Sequence, residues 1–159
     1  MTPLIGHRFI GGLAGVLGTS RDRYFANAYY DDFKRAVQEK ELDIPSDTPT
    51  VSLIDTDDYT FDSGDASYAS DVDAASKVAA AALSTPAIGA AGVFDSDDWT
   101  FPTVTGDQCE ALITWLNGPT TPVADPLMAF YDTGMTGMPV TPSGGDINGT
   151  VNGSGWHAL

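Results

Sequence analysis

The chain reads as a mainly β protein: an antiparallel β-sandwich-like domain with one N-terminal helix, preceded by an extended N-terminal arm. Three observations carry that expectation. Short runs of β-branched and aliphatic residues alternate with turns rich in Gly, Pro and Asp. One stretch, 22–41, places apolar residues at helical spacing. Residues 1–20 interleave glycine with large apolar side chains, a pattern that suits neither helix nor strand. At 159 residues the chain fits one domain, spanning 21–159. A chain of that size buries roughly 68–70% of its unfolded surface without needing disulfides or metals.

The arm comes first. Gly6, Gly11, Gly12, Gly15 and Gly18 oppose a stable helix, yet Leu4, Ile5, Phe9, Ile10, Leu13, Val16 and Leu17 are too apolar for a solvated tail. The expectation is a segment that orders against a neighbouring subunit. Its most apolar run, LIGHRFIGGLAGVLG at 4–18, holds His7 and Arg8 inside it. A secretory signal places its positive charge before the apolar run, so no such leader is expected. No stretch is apolar for long enough to read as a membrane span.

The remaining elements follow in order. Phe25, Tyr29, Phe33, Ala36 and Val37 make one apolar stripe over 22–41, with Ser20 or Asp22 available as cap and Pro45 stopping continuation. TVSLID at 50–55 reads as a strand. SDVDAASKVAAAALSTP at 70–86 has a Ser-x-x-Asp start and a composition dominated by Ala, so a short helix ending at Pro86 is expected. CEALITWLN at 109–117 and PLMAFYD at 126–132 read as central strands joined by the loop GPTTPVAD. The tail, GGDINGTVNGSGWHAL, contains two Asn-Gly pairs, which predict hairpin turns.

Charge narrows the function. The net charge is −15, and it is unevenly placed. Through Lys40 there are six basic and four acidic residues; from Glu41 onward only Lys77 opposes eighteen acids. Such a body does not suit nucleic acid, whose phosphates require Lys and Arg. The single cysteine, Cys109, permits no internal disulfide and reads as a small buried apolar group.

The chemistry-bearing motifs are two echoing segments, IDTDDYTF at 54–61 and FDSDDWTF at 94–101. Their carboxylates, Asp55, Asp57, Asp58, Asp95, Asp97 and Asp98, are the candidates for calcium. A helix-loop-helix calcium site needs Gly at its sixth position and a bidentate Glu at its twelfth. Counted from Asp55 these are Thr60 and Ala66; counted from Asp95, Thr100 and Gly106. Neither segment fits, and only a looser all-oxygen site is left. The simpler expectation is Asx-turns between extended segments, the same local solution used twice. His7 and His157 sit at opposite ends of the chain with no flanking ligand pattern. Phosphate-loop, nucleophile-elbow and dinucleotide fingerprints are absent from the sequence. The residues therefore favour a non-enzymatic protein, with no catalytic residue and no cofactor expected.

From Tyr29 onward the sequence resembles a family of small virion proteins of tailed bacteriophages. Three blocks carry the likeness: YYDDFKRAVQEKELDIPSDTPTVSLIDTDDYTF (29–61), GVFDSDDWTFPTVTGDQCEALITW (92–115) and LMAFYDTGMTGMPVTPSGGDINGTV (127–151). In the family the corresponding runs include DTIKVALVDADYTF, GVFDADDVTFSAVTGDQSEALVIY and LIAYIDTGVTGLPVTPNGGDI. This chain departs from the family in its glycine-rich arm and in KVAAAALSTPAIGAA, which replaces a more polar, β-prone stretch. The resemblance implies a structural component of the virion, made in the host cytoplasm, and transfers no catalytic residue.

With the arm and the charge split, the expectation becomes a capsid decoration (cement) protein on the head exterior. Its expected partners are the major capsid protein or other virion proteins, with the chain forming a homo-oligomer on the particle; neither nucleic acid nor membrane is among them. A minor tail or baseplate protein is the alternative. Another is a host-surface module binding carbohydrate or depending on calcium. Exposure of Trp99, Trp115 or Trp156 beside the Asp clusters would favour that last reading.

Overall fold

The computed structural model describes residues 28–64, 68–89, 92–118, 125–133, 135–151 and 153–158. The expected arm, 1–20, and the Phe25 end of the expected helix lie outside them. Within them the protein is mainly β with one short helix, as the sequence predicts.

Strand β1 (Ala28–Tyr29) and helix α1 (Asp31–Gln38) open the described chain, followed by β2 (Thr48–Ile54) and β3 (Lys77–Ala82). Then come β4 (Ala87–Ile88), β5 (Val93–Asp95), β6 (Trp99–Phe101) and β7 (Ala111–Asn117). The last three are β8 (Leu127–Tyr131), β9 (Ile147–Gly149) and β10 (His157–Ala158). A five-stranded sheet has the order β1-β8-β7-β2-β3. Every neighbouring pair in it is antiparallel. Two small antiparallel sheets, β10-β5-β4 and β6-β9, accompany it.

The centre of the large sheet is buried on both faces. From Pro49 to Ile54 every residue of β2 is buried, and so is every residue of β8. The register assigns the faces. Val51 and Leu53 lie opposite Thr114 and Leu112, and those two lie opposite Ala129 and Tyr131. The other face carries Ser52, Ile113 and Phe130 in one row. On that second face Phe61 stacks on Phe130 at 4.9 Å between ring centroids, and Tyr30 meets Phe61 edge-on at 5.2 Å. Buried Ser52 is satisfied by the indole of Trp115, which donates to its Oγ at 2.9 Å.

Three local expectations are corrected. The expected helix does not run unbroken over 22–41: Ala28 and Tyr29 pair with Phe130 and Ala129 as an edge strand, and α1 begins at Asp31. Tyr30 is the N-cap and makes no side-chain cap bond, while Asp31 and Asp32 in the first turn complement the helix dipole. Phe33 and Ala36 are the helix residues that reach the core.

The stretch 70–86 is not a helix either. Its second half is edge strand β3, with Ala79 to Ala82 paired to Leu53 through Thr50. Alanine favours a helix when isolated, but here the open edge of β2 supplies a full ladder of backbone partners. The tail also differs, because Asn148 and Gly149 lie inside β9, paired with Thr100 and Trp99, rather than in a turn. Asn152 of the second pair lies outside the described residues.

Cys109 is fully buried and exchanges two backbone hydrogen bonds with Val140, each 2.9 Å. Burial, and then the negative charges of Asp55, Glu110 and Asp107, push its thiol from 9.0 up to about 12. Burial likewise raises Tyr29 to about 12 and moves Tyr30, Tyr59 and Tyr131 upward. A group that ionises later in the folded chain contributes stability that is complete below its unfolded pKa and is lost as pH rises towards its folded value.

Three outcomes follow. Thermal unfolding should move to lower temperature as pH rises from about 9 to about 12. Cys109 should resist thiol reagents at neutral pH until the protein unfolds. In the sheet centre, Leu53→Ala should cost about 2–5 kcal/mol in denaturant unfolding, as expected for a fully buried leucine.

Candidate functional site

The two Asp clusters are built differently. In the first, Asp55 is buried and its Oδ1 accepts from the Asp57 backbone at 2.8 Å, an Asx-turn at the end of β2. Glu110 Oε2 holds the same turn by accepting from the Thr56 N–H at 3.1 Å and its hydroxyl at 2.9 Å. Asp57 and Asp58 are exposed.

In the second, Asp95 Oδ1 takes the next N–H, of Ser96, at 3.0 Å. Asp97 takes the Ser84 hydroxyl at 3.4 Å, and Asp98 Oδ1 reaches the Val151 N–H at 2.9 Å. The expectation of one local solution used twice is therefore corrected: one cluster closes its own turn, the other ties in the tail. The aromatic positions do match, with Tyr59 and Trp99 half-buried and Phe61 and Phe101 buried. Among the described residues, no three His, Cys, Asp or Glu side chains form a group that could hold a metal ion.

What the second cluster does organise is a cleft of about 540 Å³. Its floor is the first face of the large sheet, at Leu112 and Tyr131. Trp99 and Trp156 stand over that floor with near-parallel rings, 6.4 Å between centroids and 22° between planes. Trp156 also packs against Tyr131 at 5.5 Å and donates its indole N–H to Ser96 Oγ at 2.8 Å. The 135–140 segment adds Met135, Met138 and Val140 to the lining, and β9 adds Ile147 and Asn148.

The backbone sets this geometry through two glycines. The ring of Trp99 lies directly on Gly149: a Cβ there would fall 1.9 Å from its Cζ2. Gly155 has φ +79, and a Cβ on it would meet the Phe94 carbonyl oxygen at 2.6 Å. The tail can lie that close because the Trp156 N–H bonds to this same carbonyl at 2.8 Å. Sequence reasoning singled out Trp99 and Trp156 but missed the two methionines and Gly149. The usable signal was a Trp-Thr-Phe run needing a partner strand with a small residue opposite the indole.

A second hollow, about 370 Å³, lies on the other face near Thr56, Tyr59, Glu110, Phe130 and Asp132. Tyr59 and Tyr30 share a hydroxyl hydrogen bond of 2.6 Å beside it. Burial raises the Asp132 carboxyl above the usual range, although the residue is largely exposed. Glu110 Oε2 is bonded there to the backbone and hydroxyl of Thr56.

Of the expected interaction residues, Leu4 to Leu17 lie outside the described structure, as does the side chain of His157. Trp115 is half-buried and bonded to Ser52, away from the cleft. No helix among the described residues is long and apolar enough to cross a membrane. Against known proteins, no family model and no curated sequence matches the chain.

Gly149→Ala should force Trp99 off β9, at a cost of about 1–3 kcal/mol by overpacking. Tryptophan emission should shift to the red in the same variant. Gly145→Ala is the control, because a Cβ there meets no atom within 4 Å; it should change neither quantity.

Proposed function

We propose that the protein is a non-enzymatic structural component of a tailed-phage virion, a decoration (cement) protein bound to the exterior of the head. The observation that carries this reading is the division of charge and hydrophobicity along the chain. Twenty-one of its twenty-two carboxylates lie from residue 28 onward, with only four of its seven cations. The preceding segment holds Arg8, Arg21 and Arg23 together with the apolar set Leu4 to Leu17. A compact anionic body resists clustering in solution, whereas an apolar, basic arm can bury surface against a lattice of another protein.

Two further features support it. The sequence resembles small virion proteins of tailed phages across three blocks from residue 29 to 151. The described residues also open at β1, the outermost strand of the large sheet, at an edge rather than in the core. The partner in this reading is the major capsid protein, and several copies of the chain meet on the particle.

Deleting residues 1–19 should leave a folded protein that no longer decorates purified particles, measured as chain per particle by mass spectrometry. Unchanged occupancy would sink the role of the arm. On intact virions the chain should approach the abundance of the shell protein; a handful of copies would instead place it in the tail or baseplate.

A further inference from the structure

We infer that the cleft over Leu112 and Tyr131 is the docking site of the chain's own apolar segment, residues 4–17, in the protein free of any partner. Apart from the stacked indoles, its lining includes Met135, Met138, Val140 and Ile147. These four pack against the core yet are only partly buried, so each keeps apolar surface at the cleft. The register puts Ile147 opposite Phe101, on the face of β6–β9 that also carries Trp99 and Gly149. Methionine, with three rotatable bonds, adapts to an irregular apolar partner.

The place where the described chain opens selects the occupant. It opens at Ala28, which pairs with Phe130, and β1 runs antiparallel to β8. Going back from Tyr29 to Ala28 is therefore going forward along β8, towards Tyr131 and Thr133, which line the cleft. Paired antiparallel residues lie about 5 Å apart, so Ala28 stands close to the cleft floor. Ten residues, 18–27, separate it from Leu17. Fully extended, they span up to about 33–36 Å, so the segment can reach the cleft of its own chain.

Charge favours the same pairing. Residues 1–27 hold Arg8, Arg21 and Arg23 against Asp22 alone, while the later residues hold the other twenty-one carboxylates. A second copy would bring its own anionic body with its segment; a segment of the same chain brings only the attraction. Uncovered, the seven large apolar residues from Leu4 to Leu17 would present apolar surface to water. A cleft of about 540 Å³ takes a few of these side chains, not all seven. Such partial burial leaves the segment able to exchange the cleft for another protein surface. The inference does not rest on the reading as a virion protein, because segment and cleft belong to one chain.

The test uses the full-length protein, isotope-labelled at the methyls of its four methionines. Phe9→Ser combined with Ile10→Ser should move the resonances of Met135 and Met138 and leave that of Met128, fully buried in β8, in place. In a second protein a nitroxide is attached at Ala14→Cys; the native Cys109 is buried and takes no label. The nitroxide should broaden Met135 and Met138. An equal mixture of nitroxide-bearing chain without isotope and isotope-labelled chain without nitroxide should show no such broadening.

Unmoved Met135 and Met138 resonances in the double variant would overturn the inference, and so would a nitroxide that leaves them sharp in its own chain. Broadening in the mixture would overturn it as well, since the segment would then lie on a second copy. Attachment to particles enters none of these readouts, so the virion reading stands or falls separately.

Discussion

The pairing of β2 with β7 is the constraint on which the rest of the structure depends. Seven residues of each strand face one another without a break in register, from Thr48–Asn117 to Ile54–Ala111. Because β2 is buried on both sides, the sheet must be covered twice. One cover is the aromatic group of Tyr30, Tyr59 and Phe61 over Phe130. On the other face β6, β9 and Trp156 stand over Leu112 and Tyr131. The first cover comes from chain close to β2 in sequence. The second is assembled from residues 99–101, 147–149 and 156, drawn in from distant parts of the chain. A cover assembled from short pieces fills less completely, and the cleft is the space it leaves.

The Asp-rich composition has a structural use that accounts for much of it. Asp55, Asp62, Asp71, Asp73, Asp95, Asp98, Asp125 and Asp146 each accept from a backbone N–H in a turn or at a loop junction. Short strands create many turns, and a carboxylate close to the chain satisfies donors that no strand can reach. Lys77, the one cation after Lys40, is likewise used internally, donating to the Ala69 carbonyl at 2.6 Å. The exposed ion pairs of α1, such as Arg35 with Glu39, add little to stability by comparison.

How much of this was legible depends on the range of the interaction that decides each element. The three central strands were readable, since TVSLID, ALITWLN and LMAFY carry their burial in their own composition. The helix was readable but not its start: Phe25, Tyr29 and Phe33 keep helical spacing, while the pairing of Tyr29 with Ala129 is invisible locally. Asp31-Asp32 was the local sign that the helix begins there. KVAAAA failed for the same reason, because alanine states a preference that a neighbouring strand overrides. The tryptophans of the cleft could be named in advance. Their arrangement could not, since it rests on Asn148-Gly149 serving as a strand where the pair usually signals a turn.

The contact between Trp99 and Gly149 also bears on how such a sequence can drift. With a Cβ at 149 excluded by the indole, the two positions behave as one heritable unit. A side chain gained at 149 while the ring at 99 remains must displace that ring and carries the cost of overpacking, whereas shrinking the ring first opens the wall of the cleft. The less costly order therefore has the loss of the aromatic coming first.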